Sequence, residues 1–378
     1  MIRAKGFALV LVLWVLSLLT IMAGSFALSM RREAGIVAGS SNNARAVAVA
    51  ESGLAIAELM LMNPDRLQRW RTDGSIYQID YADYEIPPCI SPSGSAVGCS
   101  NSLPANLSKV RIRLLSEAGK VDLNRADQTL LQGLMEHAPV DTELQTKLVN
   151  AILDWRDADD LARIEGAEKK EYKDAGLSYQ PRNKPFQSIE ELQLVLGMNE
   201  QVFKWLESLV TVNSGQPKVD LAQAAKEVLY VLPGMDAGLI DEYIAARRES
   251  AITGLPAPAF IARDGVYAAT GAAPVASNPG MAPGQTGGIG NPFATAVNTA
   301  VNNGTEQKGV TTVVAEALLD DGTTATINAL IKKSDSPTGT SPFQVLKWQR
   351  NTAVDGSLFI DKKDELLVRQ YAEPEFNN

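Results

Sequence analysis

No charged side chain occurs between Phe7 and Met30, a run of 24 residues, and the helix-forming pattern continues past the end of that run. As a helix the run is roughly 36 Å long at about 1.5 Å per residue, enough to cross a hydrocarbon core of about 30 Å. Arg3 and Lys5 precede it and Arg31 and Arg32 follow, so charge bias between the flanks settles orientation poorly. From Ala44 to Met62 the chain is rich in Ala, Leu, Met and Glu, with Val47, Ala50, Leu54, Ala57 and Leu61 at helical spacing. Asn63-Pro64 ends the pattern, because proline disfavours the helical conformation in the residue before it. The expectation is one helix of about 55 residues, on the order of 80 Å long, membrane-soluble in its first half and amphipathic in its second. A cleaved secretory signal is the competing reading, with Ala and Ser near residues 23 to 29 as cleavage sites. Signal cores usually run roughly 7 to 15 apolar residues and do not lead into a continuing helix.

The rest of the chain narrows the chemistry. Its 378 residues suffice for two or three domains, and a net charge of −9 gives no protein-wide basic field for wrapping a nucleic-acid backbone. One histidine and two cysteines leave too few ligands for a His/Cys zinc cluster and too few histidines for a proton relay. Neither a G-x-x-x-x-G-K-[ST] phosphate loop nor a G-x-S-x-G nucleophile turn is present.

After the helix, Ser75 to Ile86 and Lys109 to Leu115 read as strands, the second alternating Val110, Ile112 and Leu114 with Arg111 and Arg113. Cys89 and Cys99 lie between them among Pro, Ser and Gly. In an exported domain the pair reads as one disulfide; two free thiols are the alternative. From Gly119 to about Arg263 the pattern is helical, as in an insertion. Val121-Asp122-Leu123 and Val219-Asp220-Leu221 open two weakly similar stretches, each like half of a helix-hairpin-helix module, with Leu232 to Met235 as one turn. Such modules often bind DNA, but residues 219–250 carry three basic groups and six acids, which would repel phosphate. Residues 265–305 hold no charge and read as a flexible loop rich in Gly, Pro and Ala. Val310 to Leu319, Thr323 to Lys332 and Phe343 to Arg350 read as antiparallel strands, the first two joined through Asp320-Asp321-Gly322.

Between Asp154 and Asp174 stand eight acids and five basic residues. Hard oxygen donors suit calcium, and Asp154, Asp157, Asp159, Asp160 and Glu168 are the candidate ligands. An EF-hand counted from Asp157 fails, since Leu161 and Ala162 stand where an acid and the turn glycine belong. A solvated helix end with i, i+4 ion pairs is the alternative.

The leader Lys5-Gly6 followed by Phe7-Ala8-Leu9 resembles the type IV pilin class. That resemblance implies cleavage between Gly6 and Phe7 by prepilin peptidase, methylation of the new Phe7 amine and retention in the inner membrane before filament entry. Members usually carry glutamate at the fifth mature position, where this chain has Leu11. Loss of that acid suits a filament tip, a peculiarity of the minor pseudopilin K family of type II secretion. The inserted region is similar to the same family through four ordered motifs: Asp154 to Asp160; Gly166 to Glu168 with Tyr172; Pro181 to Asn183; and Glu190 to Leu192 with Gly197-Met198. At the second repeat the chain has Asp220 to Ala225 in place of the family's Asn-x-Asn-Thr-Ala-Pro phrase.

The resemblance implies an α+β fold: a long N-terminal helix packed on an antiparallel sheet, with a large inserted α-helical domain. Its expected parts are a leader (1–6), a transmembrane segment (7–30), helix and first strands (31–118), the insertion (119–263), a loop (264–308) and closing strands (309–378). It further implies a non-enzymatic subunit in the bacterial inner membrane with its bulk in the periplasm. There it starts pseudopilus assembly with other minor pseudopilins, alongside the major pseudopilin and the inner-membrane secretion platform, with cargo or the outer-membrane channel as further contacts. Calcium in the insertion is also implied, and no nucleic acid. A tethered helix-hairpin-helix DNA binder and a signal-anchored periplasmic enzyme are the alternatives.

Overall fold

The structure, a computed structural model, describes residues 7–65, 68–80, 109–260, 309–334, 341–350, 356–360 and 366–367. Helix α1 (Phe7–Leu61) runs unbroken for 55 residues. Its described residues are exposed up to Ser41, and continuous burial of one face begins at Ala46. From there Ala46, Ala50, Gly53, Leu54 and Ala57 are buried against the sheet. Ala50, Leu54 and Ala57 of the expected stripe are buried, while at its start Ala46 is buried and Val47 only half-buried. Small residues decide it: a Cβ on Gly53 would stand 2.8 Å from Val110 Cγ2, so only glycine lets the helix settle this close.

The sheet comprises β1 (Asp73–Asp80), β2 (Lys109–Ser116), β5 (Val310–Leu318), β6 (Thr324–Lys333), β7 (Phe343–Arg350) and β8 (Leu366–Leu367), in the order β7-β6-β5-β2-β1-β8. All neighbours are antiparallel except β1 and β8, which pair in parallel. The expected strands stand with small shifts at their ends, and Tyr81 to Ile86 lies outside the described residues. At the β5–β6 turn, Gly322 takes φ +83, the left-handed geometry that the Asp320-Asp321-Gly322 sequence predicts.

Strands β2 and β5 are adjacent although the chain between them is long, so the helical region is inserted between two neighbouring strands. It holds β3 (Val121–Asp122), α2 (Gln128–Met135), α3 (Thr142–Arg156), α4 (Lys169–Asp174), α5 (Glu200–Glu207), β4 (Val210–Thr211), α6 (Lys226–Val231) and α7 (Ala237–Ile252). These surround a core of their own, including Leu131, Leu134, Leu148, Ile152, Leu229 and Tyr243, while Leu54, Ile112, Val313 and Ile331 belong to a separate core between α1 and the sheet. The two helical hairpins, α2–α3 and α6–α7, meet where Gly133 faces Pro233; a Cβ there would approach Pro233 Cβ to 2.4 Å.

Position along α1 places the insertion relative to the apolar half. Ala46 packs with Leu319 and Ala325 at the β5–β6 turn, whereas Leu54 and Ala57 share a cluster with Trp70, Val313 and Phe343 at the other end. The insertion joins the sheet after Ser116 and before Val310, at that second end, farthest from the apolar run. Buried polar links fix it there. Arg113 Nη2 donates to both carboxylate oxygens of Glu227 at 3.0 Å, and Glu117 accepts from Thr312 Oγ1 at 2.7 Å, Lys120 Nζ at 2.9 Å and Thr211 Oγ1.

Candidate functional site

The four ordered sequence motifs of the insertion converge on one loop that follows α3. Asp154, in the last turn of α3, is fully buried. Its Oδ1 accepts from Arg163 Nη1 at 2.5 Å, and its Oδ2 accepts the backbone N–H groups of Arg163 at 3.2 Å and Ala167 at 2.9 Å. Gly166 permits this wrap, since a Cβ at that position would lie 2.0 Å from Asp154 Oδ2. Asn150 adds a bond from Nδ2 to Ile164 O at 3.0 Å, so the loop is pinned from the helix beneath it.

The remaining motifs close the site from outside. Tyr172 is buried, and its hydroxyl accepts from Leu196 N at 2.9 Å, beside Gly197-Met198. Glu191 accepts from Arg182 Nη1 at 2.7 Å and from Gln187 N at 3.1 Å. Asn183, held at φ 52, donates from Nδ2 to Asp159 O at 2.7 Å and to Asp160 Oδ1 at 2.9 Å. The Pro181 to Asn183 segment therefore ties the far side of the acidic loop.

Glu168 is the exceptional group. It is 3% exposed at the start of α4, in a capping box with Glu171, and neither carboxylate oxygen has a close hydrogen-bond partner. Burial, followed by the negative charges of Asp154, Asp157, Asp160 and Asp159, raises its pKa to about 7. Asp157 Oδ1 and Asn183 Oδ1 are likewise buried without partners. Unpartnered buried oxygens are rare in folded proteins because each forfeits its hydration. Glu168, Asp157 and Asn183 thus each leave a buried oxygen unpartnered around the acidic loop, and oxygen is the donor chemistry of a hard divalent cation. Arg163 bridges Asp154 and Asp157 within the same cluster, and among the described residues no group of three His, Cys, Asp or Glu side chains converges closely enough to hold a metal.

Residues 106–215, which contain this whole site, match the family model described as type II secretion system protein K. The match spans less than a third of the sequence, and it is this stretch that is similar to type II secretion K proteins. A chain of the solved GspK-GspI-GspJ complex from the enterotoxigenic Escherichia coli type 2 secretion system superposes with a TM-score of 0.42 at 15% identity, covering 83% of this chain and 98% of that one. No curated protein sequence matches significantly.

The loop sorts the expected calcium residues into two groups. Glu168 keeps both oxygens unpartnered and Asp157 one, its other oxygen being held by Arg163. Asp154 is consumed by Arg163 and two backbone N–H groups, Asp160 bonds Asn183, and Asp159 accepts the Leu161 N–H at 3.0 Å. Sequence reasoning placed Asn183 in a family motif but not among the oxygen donors; its positive φ was the hidden part of the signal. Leu11 lies in the apolar part of α1, 55% exposed, and no acid stands between Phe7 and Met30. Phe7 opens α1, while Gly6, Cys89, Cys99 and the expected loop at 264–308 lie outside the described residues. This apolar, uncovered helix fits a single-pass membrane anchor.

Proposed function

We propose that this K-family pseudopilin stands at the tip of the pseudopilus and starts its assembly with other minor pseudopilins. The observation that carries the reading is the absence of any acid along Phe7 to Met30, with Leu11 at the fifth position after Gly6. In a filament of apolar helices, a subunit's terminal amine needs a carboxylate from a neighbour, because an unpaired charge in hydrocarbon is costly. A subunit that offers no such acid is poorly equipped to sit in mid-filament. Placement of the insertion at the end of the sheet farthest from the apolar run supports the same reading, since the bulk then projects away from the membrane into the periplasm.

Prepilin peptidase cleaves between Gly6 and Phe7 in this reading, and the new amine is methylated. The mature helix stays in the inner membrane until the secretion platform draws it up, followed by the major pseudopilin. Cargo or the outer-membrane channel would meet the insertion. Calcium would find in the acidic loop the unpartnered buried oxygens of Glu168, Asp157 and Asn183, and would supply positive charge to a cluster rich in carboxylates.

Mass spectrometry of the chain coexpressed with and without a prepilin peptidase tests the processing step. Loss of residues 1–6 with a methylated Phe7, only when the peptidase is present, is expected. Cleavage near Ala27 would overturn the filament reading. Tip placement is tested by Leu11→Glu: spread of labelled subunits along the filament supports the charge logic, and unchanged tip placement means that the bulk of the insertion decides instead.

A further inference from the structure

Helix α1 leaves strand β7 uncovered, and the seam between them is apolar with one bare acid. Ile327, Ala329 and Ile331 of β6 are buried under α1, and they pair in register with Arg350, Trp348 and Val345 of β7. Paired residues share a face of the sheet, so these three β7 side chains stand on the α1 side. Val345 and Trp348 are exposed there. Contacts at both ends fix β7 along α1: Arg350 Nη2 donates to Glu51 Oε1 at 2.8 Å, while Phe343 shares a buried cluster with Leu54 and Ala57. Glu51, Ala55, Glu58 and Met62 follow one another at helical spacing from the pinned end, so they form the ridge that borders β7. Leu59, four residues from Ala55, is exposed beside it. Glu58 is partly buried on this ridge, and among the described residues its carboxylate has no ion pair or side-chain hydrogen bond. Burial alone raises its pKa.

We propose that the α1–β7 seam receives an amphipathic helix of a neighbouring subunit, laid beside α1 over β7, with a lysine or arginine of that helix against Glu58. The inference rests on the reading that this chain assembles with other minor pseudopilins, and it adds the surface on which one of them docks. Sheet geometry selects a helix. α1 is centred on β5 and flanked by β2 and β6, all of which bury side chains beneath it. β7 lies two strands from β5, about 10 Å away, and helices pack about 8–10 Å apart, so a second helix beside α1 would lie over β7. The ridge from Glu51 to Met62 is roughly 16 Å long, about three turns, which sets the length of helix the seam can seat. Charge selects the partner's sequence. The two cations of β7 are engaged elsewhere, Arg350 on Glu51 and Lys347 on Glu190, so β7 offers Glu58 none of its own. A basic side chain arriving among apolar ones supplies that missing counter-charge and lets Val345, Trp348, Leu59 and Met62 leave water together.

The test is photo-cross-linking of the full chain in membranes, coexpressed with the other minor pseudopilins of its secretion system. Benzoylphenylalanine is placed at Val345, at Trp348 or, as a control exposed on α5, at Lys204. Adducts from Val345 and Trp348 to a helix of another minor pseudopilin are expected well above the control yield, close to a lysine or arginine of that helix. Glu58→Lys should lower both that yield and copurification of the partner about tenfold, with the melting temperature of the chain itself little changed, and replacing the partner's basic residue by glutamate should restore them. Copurification that survives Glu58→Lys undiminished, or seam adducts no stronger than the control, overturns the docking surface and leaves the assembly reading standing. Adducts to a second copy of this chain, to another part of the same chain or to a strand of the partner overturn it as well. No copurification of the natural chain with any minor pseudopilin overturns both. Should Glu58→Lys fail to fold, the Val345 and Trp348 adducts decide alone.

Discussion

Arg156 and Arg247 hold equivalent carbonyls in the two helical hairpins of the insertion. Arg156 Nη2 donates to Ala126 O at 2.5 Å and Arg247 Nη1 donates to Ala224 O at 2.7 Å. The two alanines are 224 − 126 = 98 residues apart, the same offset that separates Val121 from Val219 and Asp122 from Asp220. Each arginine reaches back from the second helix of its hairpin to the segment that precedes the first. From the capping aspartates, Asp141 and Asp236, they lie 15 and 11 residues along, a difference of 4, or about one helical turn. The insertion therefore contains a duplicated unit whose buried polar lock is kept while a turn of helix differs.

The two locks are not equally costly to remove. Arg247 also pairs with Asp73 at 3.3 Å and donates to Asp73 O at 2.9 Å, and Asp73 is 3% exposed. Arg247→Ala leaves that carboxylate buried and uncompensated, for a loss of about 3–5 kcal/mol. Arg156→Ala removes bonds to the carbonyls of Leu123 and Ala126 only, for about 1–3 kcal/mol. Urea midpoints of the full chain in detergent check the order, and equal losses would show that the Asp73 pair contributes little.

Two glycines of α1 separate close packing from helix propensity. Gly53→Val is expected to destabilise by about 1–3 kcal/mol because its side chain must displace Val110. Gly39 has no atom within 4 Å of an added Cβ, so Gly39→Ala should stabilise by about 0.5–1 kcal/mol through propensity alone. Thermal melting of both variants checks the contrast.

These glycines also mark where sequence reading stops. The length of α1, the ends of β7 and the β5–β6 turn were legible, because charge-free length, alternation and an Asp-Gly turn are local signals. Most of the buried face of α1 was legible, with Ala50, Leu54 and Ala57 in the expected stripe, but at its start the sheet takes the smaller Ala46 where apolarity favours Val47. The four family motifs pointed to the right loop, yet their division of labour was invisible. Asp154 and Asp157 look alike in sequence, and only the backbone wrap through Gly166 makes one a bracket for two N–H groups while the other, paired with Arg163, keeps one oxygen unpartnered. The parallel pairing of β8 with β1 joins residues almost three hundred positions apart and involves two residues, so no periodicity could announce it.

Glu190 and Lys347 join the insertion to edge strand β7 by a direct ion pair. Partial burial works against the Glu190 charge, but the hydrogen bond from Lys347, with local backbone and Ser188 bonds, outweighs it and lowers the carboxyl pKa. A lowered folded value means stabilisation that is complete above the unfolded pKa, near 4.3, and lost as pH falls through the folded value. Both side chains are more than a third exposed, so the contribution is small, at most about 1 kcal/mol. Lys347→Met should therefore raise the Glu190 pKa, read by carboxyl NMR titration, while moving the neutral-pH melting temperature little. An unmoved pKa would assign the shift to the backbone and Ser188.

The division between bracket and donor in the acidic loop predicts opposite calcium behaviour for two buried acids. Saturating calcium should raise the melting temperature of the natural protein, because a ligand at a hundredfold its Kd adds about 2.7 kcal/mol to the folded state. Glu168→Gln removes a carboxylate whose oxygens have no partner, so the protein without calcium should be as stable or more stable, and the calcium-induced rise should vanish. Asp154→Asn replaces an acceptor that binds Arg163 and two backbone N–H groups, so it should melt lower with or without calcium. Asn183→Ala should do both in part, since it loses a bare oxygen and the ties to Asp159 and Asp160. Melting curves in EDTA and in calcium distinguish the three, and a calcium response kept by Glu168→Gln but lost by Asp154→Asn would exchange the two roles.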